Sequence, residues 1–125
     1  MTRLRNRPED EIQRAVFKHL AVRGAPDVFA FHPANGGWRS PIEAAILKGL
    51  GVRAGVPDVI AIKAGRVYAI ELKAPRGRMT EAQHVVHAAL RAAGTAVAVV
   101  HGLDAAIDQL EQWKLVKGSS RRVRP

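Results

Sequence analysis

The stretch from Gly55 to Lys73 constrains the fold more than any other part of the chain. Asp58 to Lys63 and Arg66 to Lys73 are two strand-forming runs with only Ala64-Gly65 between them. Two such runs joined by two residues, the second a glycine, specify a β-hairpin. The register then follows. With Lys63 opposite Arg66, Ile62 faces Val67, Ile60 faces Ala69 and Asp58 faces Glu71. Directly opposed residues have Cβ atoms about 5 Å apart, so two carboxylates are expected to meet at the hairpin's open end. Lys73 follows Glu71 by two positions and shares its face. A bulge at Gly65 would shift this register, so the facing acids are an expectation for the structure to decide.

Adjacent carboxylates carry a chemical requirement. They repel unless one takes a proton or a cation lies between them. Mg²⁺ prefers carboxylate oxygens and retains several waters, and Lys73 is placed to touch one of them. Each acid also has a structural reading. Asp58 after Pro57 can be a simple turn residue. Glu71 can be an ion pair with Lys73 or a neighbouring arginine. Against that, Glu71 interrupts the apolar run Val67-Tyr68-Ala69-Ile70-Glu71-Leu72, where an acid is costly unless paired or metal-bound.

The net charge of +9 favours a polyanionic partner, because neutralising phosphates releases counterions. Its rival is plain solubility. Arginines cluster at Arg3, Arg5 and Arg7 and again at Arg121, Arg122 and Arg124. Residues 118–125 read as a disordered basic tail after a single domain over residues 1–117.

The remaining chain alternates helix and strand signals. Pro8 with Glu9, Asp10 and Glu11 suits a helix start, and Ile12, Val16 and Leu20 give an apolar stripe ending near Gly24. Val28 to Phe31 predicts a strand, and Pro41 to Leu50 a helix closed by Gly51. Thr80 is an N-cap candidate for a helix carrying Gln83, His87 and Leu90 and closed by Gly94. Thr95 to His101 predicts a strand buried on both faces, and Leu103 to Leu115 a final helix with Ile107, Leu110 and then Val116 on its apolar side. The order αβαββαβα implies an α/β fold, a mixed β-sheet flanked by helices.

Several chemistries are excluded. There is no cysteine, so thiolate sites, disulfides and cysteine nucleophiles are out, and a reducing cytoplasm suits the chain. The run Ala96 to Val100 is too short to cross a bilayer, and the acidic residues at 9–11 argue against a signal peptide. No Walker or dinucleotide motif is present, so no nucleotide cofactor is expected. His84 and His87 lie three apart without a zinc-protease context and read as core or surface histidines.

Taken together, Val56-Pro57-Asp58, Glu71-Leu72-Lys73 and Gln83, with Glu9-Asp10-Glu11-Ile12-Gln13 and Asn35-Gly36-Gly37 upstream, resemble the VRR-NUC family of the PD-(D/E)XK nuclease superfamily. The likeness spans residues 9 to 101 and is nearest the single-domain phage and bacterial members. It implies a restriction-endonuclease-like core. It also implies Mg²⁺ or Mn²⁺ held by Asp58, Glu71 and the Leu72 carbonyl, with Glu9 adding a carboxylate. Lys73 would act on the attacking water, and Gln83 would position the water or Lys73. Glu11 is the rival to Glu9, but only Glu9 shares a helix face with Gln13.

Asn35, Arg39, Arg53, Arg76 and Arg78 flank the motifs and can hold DNA phosphates, or can be solvated loop charges. His32 can touch phosphate, and Trp38 can stack on a base or fill an apolar contact. The resemblance implies a homodimeric DNA endonuclease acting on Holliday junctions or other branched DNA. A nickase or restriction-like enzyme on linear duplex, and a non-catalytic nucleic-acid-binding protein, remain the alternatives.

Overall fold

A computed structural model describes residues 8–34 and 37–118. The elements are α1 (Pro8–Arg23), β1 (Val28–Phe31), α2 (Pro41–Gly49), β2 (Val59–Lys63), β3 (Arg66–Lys73), α3 (Glu81–Ala92), β4 (Ala96–His101) and α4 (Leu103–Gln112). Among the described residues this is the expected αβαββαβα order. Asn35, the arginine clusters at both ends and all of the tail but Gly118 lie outside them.

The hairpin forms without a bulge. Lys63 pairs with Arg66, Ile62 with Val67, Ile60 with Ala69 and Val59 with Ile70. Ala64 and Gly65 both have positive φ, 51° and 77°, the pair of left-handed conformations that a two-residue hairpin turn of the I′ type requires. The ladder ends at Val59, one residue short of the strand start expected at Asp58. Asp58 is a bend, and its side chain rather than its backbone engages β3.

The four strands lie in the order β1-β2-β3-β4. β1 and β3 flank β2 antiparallel, and β4 runs parallel to β3, with α3 as the crossover that such a pair needs. β4 was expected to be buried on both faces, yet Val100 alone among its residues is buried. The reason is position: it pairs only with β3 and forms an edge of the sheet. α4 ends at Gln112 rather than Leu115. The chain then turns back so that Leu115 accepts a hydrogen bond from Ala25 N at 2.9 Å and Val116 bridges Gly24.

The apolar core fills one side of the sheet. Ile12 and Val16 of α1 and Ala106, Ile107 and Leu110 of α4 pack on Val59, Ala61, Ile70, Leu72 and Val100. Side chains alternate across a strand, so Tyr68, Ile70 and Leu72 serve this core while Ala69, Glu71 and Lys73 face the other way. α3 occupies that other face. The uncovered part of the sheet is elsewhere: Phe29, Phe31 and Ile62 of β1 and β2 stay exposed.

Candidate active site

The site is built where β3 outruns β2. Asp58 lies just before the first paired residue of β2, and two contacts fix it. Its Oδ2 accepts a hydrogen bond from Leu72 N at 2.8 Å. Its backbone carbonyl is 2.7 Å from His32 Nδ1, which therefore carries the hydrogen. Pro57 is fully buried, and its fixed φ keeps Val56 extended into the site. Gly55 has φ +90°, and a Cβ there would lie 2.4 Å from the Ala82 carbonyl oxygen. Only glycine lets this segment pass so close to the start of α3.

Glu71 is 2% exposed and Lys73 5%. The Asp58 and Glu71 carboxyl groups lie within hydrogen-bonding reach of each other. Burial first, then this hydrogen bond and the Asp58 charge, raise the Glu71 carboxyl from 4.5 to about 9, with Lys73 pulling it down and Glu9 adding to the rise. A carboxyl so placed keeps a proton at neutral pH unless a cation replaces it.

α3 supplies the back wall. Gln83 Nε2 donates to Glu71 Oε2 at 3.1 Å. The amide's other end is committed, because Oε1 accepts from Thr80 N at 2.9 Å while Gln83 N donates to Thr80 Oγ1 at 3.1 Å. This reciprocal capping box fixes which end of Gln83 faces the acid. His87 Nε2 lies 3.0 Å from Glu71 Oε1. The ring is buried, and burial followed by the charges of Arg91, His84 and Lys73 pushes its pKa below the ordinary value. The sequence marked Thr80 as a cap and His87 as a core or surface histidine. Its helical spacing of four from Gln83 was the available signal.

Glu9 of α1 approaches from the other side of the strand's end. Its Oε2 accepts a long hydrogen bond from Ala74 N at 3.3 Å. Glu11 points to solvent and pairs with Arg14 at 3.5 Å, so Glu9 is the helix carboxylate that turns toward β3. No three Asp, Glu, His or Cys side chains form a metal-holding group among the described residues. The carboxylates brought together are therefore the pair Asp58 and Glu71. A strand residue's N–H and C=O point to the same neighbour, so the Leu72 carbonyl faces the Asp58 side, beyond the last β2 partner, Ile70. Two carboxylates and a carbonyl form an all-oxygen donor set, which fits Mg²⁺ or Mn²⁺ with waters completing the shell.

The basic residues divide into two places. Arg39 and Arg53 line one open groove with Lys48. Arg76 and Arg78 are exposed on the loop between β3 and α3. Trp38 is exposed.

A mixed four-stranded sheet flanked by helices, with two carboxyl groups meeting at the open end of its central hairpin, matches the restriction-endonuclease-like fold. A solved "VRR_NUC domain protein" is similar over 94% of this chain and 98% of its own, at 29% identity and a TM-score of 0.68. A second structure, described as "VRR_NUC domain", covers 86% of this chain and 97% of its own at 18% identity and a TM-score of 0.59, a likeness of fold. No family model and no curated protein matches the sequence. The chain is thus similar in fold, over nearly all of its length, to VRR-NUC domain proteins. No helix among the described residues is long and apolar enough to cross a membrane.

Proposed function

We propose that this chain is a divalent-metal-dependent DNA endonuclease that hydrolyses phosphodiester bonds, with branched DNA such as a Holliday junction as its substrate. The observation that carries this reading is the acid pair of half-buried Asp58 and buried Glu71, with Lys73 on the same strand face as Glu71, in a chain carrying a net charge of +9. Asp58, Glu71 and the Leu72 carbonyl would hold Mg²⁺ or Mn²⁺. The ion supplies Lewis acidity toward the phosphate oxygens and the attacking water.

The protein's own groups do the rest. Lys73 offsets the negative charge that grows on the phosphate. Gln83 and His87 hold the Glu71 carboxylate, and Leu72 N and His32 hold Asp58. Glu9 adds negative charge beside Ala74 without joining the pair. Arg39, Arg53, Arg76 and Arg78 are proposed to hold the DNA backbone on either side of the scissile bond. A non-catalytic binder gains nothing from two acids facing an anionic ligand.

A homodimer completes the reading. Ile42, Ile46 and Leu50 recur every four positions on and just after α2, all exposed, and α2 buries none of its residues. With Phe29, Phe31 and Ile62 they leave much apolar surface for a second copy to cover. A two-fold pair of sites matches the paired cuts that a junction requires.

Cleavage of labelled junction, flap and linear duplex DNA, with and without Mg²⁺, tests the proposal. Metal-dependent cutting that favours the junction is expected. Equal DNA binding by wild type and Asp58→Ala with no cutting of any substrate would establish a binding module instead, and preference for linear duplex a restriction-like enzyme. Light scattering on Ile46→Asp, expected to be monomeric where wild type is dimeric, tests the assembly.

A further inference from the structure

His87 is 1% exposed and lies on the face of α3 that packs against the sheet, beside buried Val86. Its Nε2 meets Glu71 Oε1, whereas its Nδ1 is buried with no hydrogen-bond partner among the described residues. A buried polar atom left unpartnered costs free energy. Packing alone is met more cheaply by leucine at this position. The imidazole is therefore explained by the one bond it makes, and that bond ends on Glu71.

In the ionised form that a cation would meet, the Glu71 carboxylate only accepts, so the hydrogen resides on Nε2 and Nδ1 keeps a bare lone pair. Gln83 and His87 are one helical turn apart, and each donates to a different oxygen of Glu71. Two donors on two oxygens fix the carboxylate's plane. The remaining lone pairs are left for the side where Asp58 lies. Donors of this kind behind a metal ligand set its orientation before the ion arrives.

We propose that His87 is a positioning residue for cation capture, holding Glu71 through its Nε2–H so that the acid pair is preset for a divalent ion. This rests on the metal-dependent reading above. The role is the imidazole's donor, not its charge, so a neutral donor of similar reach should replace it.

The test is Mn²⁺ binding by the metal-free protein, followed by calorimetry, beside the same titration of His87→Leu and His87→Gln. Leucine keeps the apolar volume and removes the donor, and glutamine places an amide N–H near the position of Nε2. The leucine variant should bind Mn²⁺ ~10- to 100-fold more weakly and the glutamine variant within about threefold of wild type. Circular dichroism checks folding. If leucine does not fold, His87→Asn, whose donor falls short of Glu71, takes its place with the same expected loss. Wild-type affinity in the donor-less variant, or a glutamine variant as weak as it, overturns the proposal while leaving the metal site standing. A wild-type chain that takes up no Mn²⁺ at millimolar concentration overturns the metal site itself, and the role of His87 with it.

Discussion

The two faces of β3 are made from alternate residues of one eight-residue strand and serve opposite ends. Tyr68, Ile70 and Leu72 look toward α1 and α4 and join the apolar core. Ala69, Glu71 and Lys73 look toward α3, where buried polar groups meet. Both faces are largely withheld from water. On the first, burial is the source of stability. On the second, burial works against the ionised acid and raises its pKa to about 9. The strand thus anchors the residues of the candidate site with the side chains between them. Leu72 does this directly: its side chain is in the core while its N–H holds Asp58.

Substitutions on the two faces should therefore separate activity from stability. Glu71→Gln is expected to have the largest effect, at least ~10³-fold in cleavage rate, since on the proposed reading it removes a metal ligand. DNA binding should be preserved or tightened, because negative charge is lost beside the phosphate. Loss of DNA affinity in a binding assay would contradict the role given to Glu71. On the other face, Ile70→Ala should cost about 2–5 kcal/mol in denaturant unfolding while the folded fraction still cuts. If it cut no better than Glu71→Gln per folded molecule, the division of labour between the faces would be wrong.

Gly55→Ala tests what joins the faces. A Cβ there would meet the Ala82 carbonyl at 2.4 Å, and φ is +90°, so a loss of about 1–3 kcal/mol is expected. Because the segment would be pushed from α3, cleavage by the folded variant should fall as well. A stability loss with unchanged cleavage would show that the approach to α3 does not place Asp58.

Much of this was legible in the sequence, for local reasons. A two-residue turn and strict alternation fix a register, and so the strand pairing from Lys63–Arg66 onward followed from spacing alone. Helix ends were marked by Pro8, Thr80, Gly51 and Gly94. What was missed depends on distant parts of the chain. β4 reads as fully buried because Ala-Val-Ala-Val-Val is apolar throughout, yet its exposure is decided by its place at the sheet's edge. His32 reached the carbonyl of Asp58 across 26 positions, and no local pattern encodes that. The contact of His87 with Glu71 required knowing that α3 crosses over the polar face of β3 rather than its apolar one. Asp58 itself fell one residue outside the ladder, because its side chain takes the Leu72 N–H that a backbone partner would have taken.

The gentlest gradient, read per pH unit, comes from the proton on the polar face. Glu71 titrates near 4.5 in the unfolded chain and near 9 in the fold, so between those values the native state holds the extra proton. Stability must then fall as pH rises through that window, by on the order of 1 kcal/mol per pH unit at most. His87 acts in the opposite sense. Its lowered pKa gives stability that is present above 6.5 and lost as pH falls below it. The range from pH 7 to 9 isolates Glu71, since His87 is neutral there in both states. Metal-free protein should lose melting temperature from pH 7 to 9, and Asp58→Asn should flatten that loss by removing the charge beside Glu71. Mg²⁺ at the proposed site would compete with the proton for the same oxygens, so its stabilisation should grow over the same range. Thermal melts at three pH values with and without Mg²⁺ measure both trends. A metal-free slope that Asp58→Asn leaves unchanged would mean that the two acids do not share a proton, and the polar face of β3 would lose the property that sets it apart from the apolar one.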